Sequence, residues 1–121
     1  MDRFAAHLGA ETLEVKPGYA RTRLKIQDHF LNGLDLAHGG IIFSLADYTS
    51  ALAANADACL GVTVNADVHF IKPAGAGDEI LAEVREVSRS RRLSTYHGTV
   101  SDQDGAILAQ FQSMVYFKTV K

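Results

Sequence analysis

The sequence predicts an α+β fold in which an antiparallel sheet wraps around one long buried helix. Three observations carry this expectation. From Gly40 to about Asp57, "GIIFSLADYTSALAANAD" is rich in Ala and Leu, lacks proline and is apolar on most faces, which marks a buried helix rather than a surface one. Beyond Gly61 the apolar residues recur with a period of two, as strands require. Asp104-Gly105 then separates two such alternating runs, a strong hairpin signal that makes neighbouring strands antiparallel. A lone helix beside antiparallel strands hides its surface when the sheet curls around it.

The elements follow in order. "DRFAAHLG" reads as a short helix closed by Gly9. "TLEVKPGYARTRLKIQ" reads as two extended pieces joined at Pro17-Gly18. In the second, Ala20, Thr22, Leu24 and Ile26 fall on one side, and Arg21, Arg23 and Lys25 on the other. "DHFLNGLDLAHGG" is a loop with turn signals at Asn32-Gly33 and Gly39-Gly40. After the helix, "GVTVNADVHFI" sets Val62, Val64, Ala66, Val68 and Phe70 against Thr63, Asn65, Asp67 and His69. "DEILAEVREVS" keeps Ile80, Ala82 and Val84 in step, and "LSTYHGTVSD" and "AILAQFQSMVYFK" flank the Asp104-Gly105 turn. One strand before the helix and four after it make five.

The 121 residues suit one domain spanning 1–121, able to bury one core and helped by a larger assembly. A composition 47% hydrophobic and 21% charged is that of an ordered globular protein. A formal net charge of -2 gives no general attraction to nucleic acid or anionic membrane. The single Cys59 excludes an internal disulfide and suits a reducing compartment. The N-terminal stretch lacks a basic start followed by an apolar signal core, and no apolar run reaches the length of a membrane span. A soluble cytoplasmic protein is expected.

The chemistry concentrates in "LAHGGIIFSLAD". The first turn of a helix carries backbone N–H groups without intrahelical partners and a partial positive charge. Glycine lets another molecule approach that backbone closely. Gly39 and Gly40 are therefore placed to donate to a carbonyl oxygen that becomes negative during a reaction; a plain tight loop-to-helix turn explains the same two glycines. Asp47 sits within the apolar helix, where an ionised carboxylate is rarely buried without a partner. Ser44 and Ser50, three residues to either side, are within hydrogen-bonding range along the helix. Asp47 lies seven residues beyond Gly40, so the two point the same way within about 20°. They are separated along the axis by roughly 10 Å, whereas a reacting carbonyl must lie about 3 Å from both donor and acid. Two such helices running antiparallel about a two-fold axis bring the acid of one chain to the glycines of the other, which predicts a dimer with two equivalent interface sites.

These residues resemble a known family. "LNGLDLAHGGIIFSLAD" is similar to the hotdog-fold acyl-CoA thioesterases of the phenylacetyl-CoA and 4-hydroxybenzoyl-CoA type, which carry an Asn, a His-Gly-Gly six residues later, and an acid on the central helix. Here these are Asn32, His38, Gly39, Gly40 and Asp47, and the likeness runs on through "GVTVNADVHFIKPAGAGDEILAEVREV", covering roughly residues 8 to 118. The resemblance implies a five-stranded antiparallel sheet wrapped around the helix, and chains paired through their sheets into homodimers or homotetramers. It implies hydrolysis of an acyl-CoA, with aryl, arylacetyl or medium-chain acyl groups all open, to free acid and CoA. Gly40, with Gly39, would polarise the carbonyl, Asp47 would attack or activate water, and Asn32, His38 and Thr63 would position carbonyl or water. No cofactor beyond the CoA of the substrate is implied, because a thioester already carries a good leaving group.

Other residues are weighed beside these. His38 meets the positive end of the helix dipole, which disfavours its protonated form and favours an orienting role. The spacing of His7, His29, His69 and His97 matches no zinc pattern, so no metal is expected. "SRSRR", from Ser88 to Arg92, is a basic turn: either a solvated surface or, by resemblance, a clamp for CoA phosphates built from Arg89, Ser90, Arg91 and Arg92, with Lys72 as a further cation. Cys59 has no evident base beside it and reads as packing. Pocket shape is expected from Phe43, Tyr48, Phe70 and the loop from Phe30 to Leu36. Two rival readings are a hydratase or dehydratase pairing His38 with Asp47 on the same fold, and a non-catalytic acyl-CoA-binding module.

Overall fold

In the structure, a computed structural model that describes residues 1–119, the elements run α1 (Arg3–Leu8), β1 (Glu11–Lys16), β2 (Tyr19–Lys25), a 3-10 turn (Asp28–Phe30), α2 (Gly39–Ala54), β3 (Gly61–Phe70), β4 (Glu79–Arg89), β5 (Leu93–Ser101) and β6 (Ile107–Phe117). The strands form one antiparallel sheet in the order β1-β2-β4-β5-β6-β3. It has six strands, not five. The two pieces joined at Pro17-Gly18 make a hairpin, with Gly18 at φ 76°, and β1 adds itself at the sheet edge. Nearly all of β1 is exposed, so it lacks the one-sided alternation that marks a core strand.

The inner face of the sheet wraps α2. Leu24, Ile80, Ala82, Val100, Leu108 and Phe111 pack around the N-terminal half of the helix, with Ile41, Ile42 and Leu45. Ala20, Val84, Tyr96, Val115 and Phe117 enclose its C-terminal half beside Ala53 and Ala54. Where helix and sheet approach closely, small hydroxyl residues pair: Thr22 Oγ1 with Thr49 Oγ1 at 2.7 Å, and Ser50 Oγ with Ser113 Oγ at 2.6 Å. These bonds satisfy polar atoms that burial would otherwise leave costly. Gly98 belongs to the same tight layer, since a Cβ there would lie 2.7 Å from Val84 Cγ2.

The helix is shorter than "GIIFSLADYTSALAANAD" suggests, ending at Ala54. Asn55 stops it: its Nδ2 donates to the Ala51 and Gly61 carbonyls, and its Oδ1 accepts from the Gly61 N–H at 2.8 Å. The helix end is thereby tied to the start of β3. Strand β3 forms the other edge of the sheet, and a bulge between Thr63 and Asn65 changes its facing. Val62 therefore aligns with the outward Tyr116, while Thr63 aligns with the buried Val115 and shares its side of the sheet, though Thr63 itself is exposed at the open edge. A strict alternation would have put Val62 inside and Thr63 outside. Among the described residues no helix is long and apolar enough to cross a membrane.

Candidate active site

The N-terminus of α2 is built by the loop before it. Asn32 folds that loop: its Oδ1 accepts from the Leu34 N–H at 2.8 Å and the Leu36 N–H at 3.2 Å, and its own N–H donates to the Leu36 carbonyl. The Ala37 and His38 amides donate to the Ala74 and Phe30 carbonyls, pinning the loop to the body. His38 caps the helix, with φ -60° and ψ 136°. Its Nδ1 accepts from the Gly40 N–H at 2.8 Å. That bond uses the Nδ1 lone pair as acceptor and turns Nε2 away from the Gly40 amide. It also occupies the Gly40 amide. The Gly39 N–H has no hydrogen-bond partner among the described residues. Phe70, at the end of β3, lies against Gly39 so closely that a Cβ there would sit 3.0 Å from its Cζ.

Asp47 lies about 12 Å further along α2, at 1.5 Å per residue from Gly39. Its side chain is half-buried and lines a cavity of about 150 Å³ between α1 and α2. Burial, and secondarily the charge of Asp2, push its carboxyl above the usual aspartate range, with no hydrogen bond or cation among the described residues to offset them. The nearby serines do not serve it: Ser44 Oγ donates to the Gly40 carbonyl at 2.6 Å, and Ser50 bonds Ser113. The cavity walls are Phe4 and Leu8 from α1, and Phe43 and Tyr48 from α2. Phe43 and Tyr48 stand where the sequence suggests. Phe70 and the loop from Phe30 to Leu36 do not line the cavity, and Asp2, Phe4 and Leu8 do so instead. Nothing local marks those three residues; only the packing of α1 onto α2 recruits them.

One chain thus sets His38, Gly39 and Gly40 at the helix start, with Asn32 in the loop before it, and keeps Asp47 apart, since none of the four lines its cavity. Thr63 also lies outside it, on the inner side of edge strand β3. The basic turn sits beyond the other end of α2, beside Phe117. Arg89 Nε donates to Glu86 Oε2 at 3.0 Å and its guanidinium covers the Phe117 ring. Burial pushes the Glu86 carboxyl up, but bonds from Ser94, Tyr96 and Arg89, with the Arg89 charge, outweigh it and hold it below the usual range. Arg92 donates to the Phe117 and Lys118 carbonyls, and Ser90 Oγ to the Leu93 carbonyl. Lys72 lies 3.9 Å from Asp102. Arg91 makes no side-chain hydrogen bond or ion pair among the described residues. Among those residues, no group of three or more His, Cys, Asp or Glu is placed to hold a metal.

Comparison with known proteins places this geometry in context. Residues 34–109 match the family model described as the thioesterase superfamily. The Escherichia coli K12 protein named acyl-coenzyme A thioesterase PaaI is 28% identical over 111 residues, which is 92% of this chain and 79% of that protein. The solved structure of the E. coli PaaI protein superposes with a TM-score of 0.95, over 99% of this chain and 87% of that one. A mutant of the phenylacetic acid degradation protein PaaI from Thermus thermophilus is 33% identical, with a TM-score of 0.91 over 95% of this chain and 98% of that one.

Proposed function

The chain belongs to the thioesterase superfamily and is a thioester hydrolase, and from that premise we propose that it cleaves an acyl-CoA at a site assembled from two copies. One observation carries the two-copy reading. Among the described residues, the Gly39 N–H and the Asp47 carboxylate have no hydrogen-bond or ion-pair partner, and they stand about two helical turns apart on α2. A thioester needs both at once. Antiparallel pairing of two copies along β3 supplies them, because that edge leaves Val62 and Val64 38% and 58% exposed beside unpaired strand amides. Homodimers of this kind, or tetramers made from two of them, hold equivalent sites.

In this reading the Gly39 N–H donates to the thioester oxygen as it becomes an oxyanion, with the helix dipole adding to the field. Gly40, expected from the sequence as the donor to the carbonyl, is assigned a supporting part here, because its amide already donates to the His38 ring. Asp47 of the second copy, made more basic by burial, takes a proton from water, whose oxygen bonds to the acyl carbon. The C–S bond then breaks and the proton passes to the CoA thiolate. Asn32 keeps its amide Nδ2 free to donate while its Oδ1 holds the loop. Thr63, on the inner side of β3, lies on the pairing edge and is assigned to water positioning. Arg91 is the cation of the basic turn left open for a CoA phosphate.

The relatives' names make phenylacetyl-CoA the first substrate to test, followed by hydroxybenzoyl and medium-chain acyl-CoAs. Thiol release read with a disulfide dye reports hydrolysis directly. Release from none of these esters, with binding retained, would convert the protein into an acyl-CoA-binding module. The shared site is tested by mixing inactive Asp47→Asn and Gly39→Pro subunits. Random exchange gives half heterodimers with one intact site each, so about a quarter of wild-type activity returns. No recovery after proven subunit exchange would refute a site built from two copies.

A further inference from the structure

Helix α1 has no role in the reaction described so far, yet it supplies half the wall of the cavity beside Asp47. Phe4 and Leu8 face Phe43 and Tyr48 across a space of about 150 Å³. An apolar cavity of about that size accepts a benzene ring in a protein interior. Its polar lining is as telling as its volume. Asp2 and Asp47 both line it, and no Lys, Arg or His does. Asp2 is held there by its own structural duty, because its Oδ1 accepts from the Ala5 N–H at 2.9 Å and caps α1.

We propose that this α1–α2 cavity is the acyl-selecting pocket, with Phe4 setting its depth and Asp2 excluding acyl groups that end in a carboxylate. The assignment rests on the thioesterase reading and names its substrate class: uncharged acyl groups no larger than a single ring. The acyl carbon must lie beside Asp47, and the cavity is the recess that opens there. An acyl tail entering it meets apolar ring and aliphatic surface, which favours an aryl or short branched chain. A tail carrying a terminal carboxylate would face the charges of Asp2 and half-buried Asp47 with no cation among the lining residues to offset them.

The test compares kcat/KM for phenylacetyl-, naphthylacetyl-, butyryl- and succinyl-CoA in the full-length protein and two variants. Butyryl and succinyl groups share four carbons and differ in the distal carboxylate, so their ratio isolates charge; wild type is expected to favour butyryl-CoA at least tenfold, by roughly the discrimination one polar mismatch supplies. Asp2→Asn retains a good helix cap, so α1 stays folded while the charge is lost. It is expected to lower the butyryl-to-succinyl preference by roughly an order of magnitude. Phe4 is 58% exposed, so Phe4→Ala spares the core, and it is expected to raise naphthylacetyl over phenylacetyl turnover about tenfold. Ratios between substrates are insensitive to how much enzyme is folded. If thiol is released but neither ratio moves by more than about twofold, the pocket assignment falls and the thioesterase reading stands. If no ester releases thiol, both fall together.

Discussion

Replacing Gly39 with proline would delete one backbone donor while disturbing little else. Position 39 is the first residue of α2, where proline is well accommodated because that N–H has no intrahelical partner. The preceding residue must be extended for a following proline to fit, and His38 at φ -60° and ψ 136° already is. No hydrogen bond within the chain is lost, since the Gly39 amide has none among the described residues. The new Cβ would lie 3.0 Å from Phe70 Cζ and 3.3 Å from Cε1, but Phe70 is half exposed and its ring can give way. Stiffening the unfolded chain contributes about 0.4–1 kcal/mol, comparable with the cost of moving that ring, so net stability should change by less than about 1 kcal/mol. Catalysis should respond far more. Removing a single oxyanion donor raises a barrier by about 3 kcal/mol, or roughly a hundredfold in kcat. The effect belongs to the transition state, so KM should move little. Steady-state thiol release and a urea melt together make the measurement. A Gly39→Pro protein with a wild-type melt and wild-type kcat would show that this amide does not face the oxyanion, and the role assigned to the helix start would be wrong.

Further outcomes follow from the same geometry. Asp47→Asn should lower kcat by roughly 10²- to 10⁴-fold as the general base is lost. It should also raise stability at neutral pH, by less than about 1 kcal/mol once solvent screening is allowed for, because the half-buried charge has no partner. The folded pKa of Asp47 is raised, so its protonated form favours the folded state below the unfolded carboxyl pKa and that contribution is lost as pH rises through the folded value. The stability advantage of the variant therefore fades on acidification, as melts across pH will show. By the same shift, the acid limb of wild-type kcat/KM should lie above the ordinary aspartate range, and Asp2→Asn should move it down. Gly98→Ala should destabilise the protein by about 1–3 kcal/mol in urea denaturation, since its Cβ would meet Val84 Cγ2 at 2.7 Å and the Glu83 carbonyl at 3.0 Å. Arg91→Ala should raise KM for acyl-CoA severalfold at low salt and less at high salt, whereas Arg89→Ala should chiefly lower the melting temperature by stripping Glu86 of its cation.

The helix and the two halves of the candidate site are legible in the sequence because each breaks a local rule. An apolar, proline-free run reads as buried, and a carboxylate inside it or a glycine pair at its start is conspicuous against that background. What escaped was set by tertiary placement. Strand β1 is exposed on both faces, so no periodicity distinguishes it from loop, and the sheet has one more strand than the pattern shows. The bulge between Thr63 and Asn65 reverses the facing of Val62 and Thr63 without any proline or glycine to announce it. Which of two adjacent glycines offers its amide is decided by the rotamer of His38, through one bond of 2.8 Å. The contribution of Asp2 and Phe4 depends on α1 folding back across α2, some forty positions away in the chain.

These hidden features share a consequence. Asp47 is partly desolvated beside a second carboxylate, and the Gly39 amide has no hydrogen-bond acceptor among the described residues, so a single chain leaves both groups unmatched. Packing would be better served by an amide at 47 and a capped amide at 39. In the proposed reaction, a carbonyl that gains negative charge at Gly39 and a water that yields its proton to Asp47 would engage both groups in the same event. That event also requires the groups to come within bonding distance of one carbon. Two turns of rigid helix forbid this inside one copy, and a second, antiparallel helix permits it. The proposed reaction and the proposed pairing thus answer the same two open groups, and a variant that satisfies one of them internally should gain stability as it loses turnover.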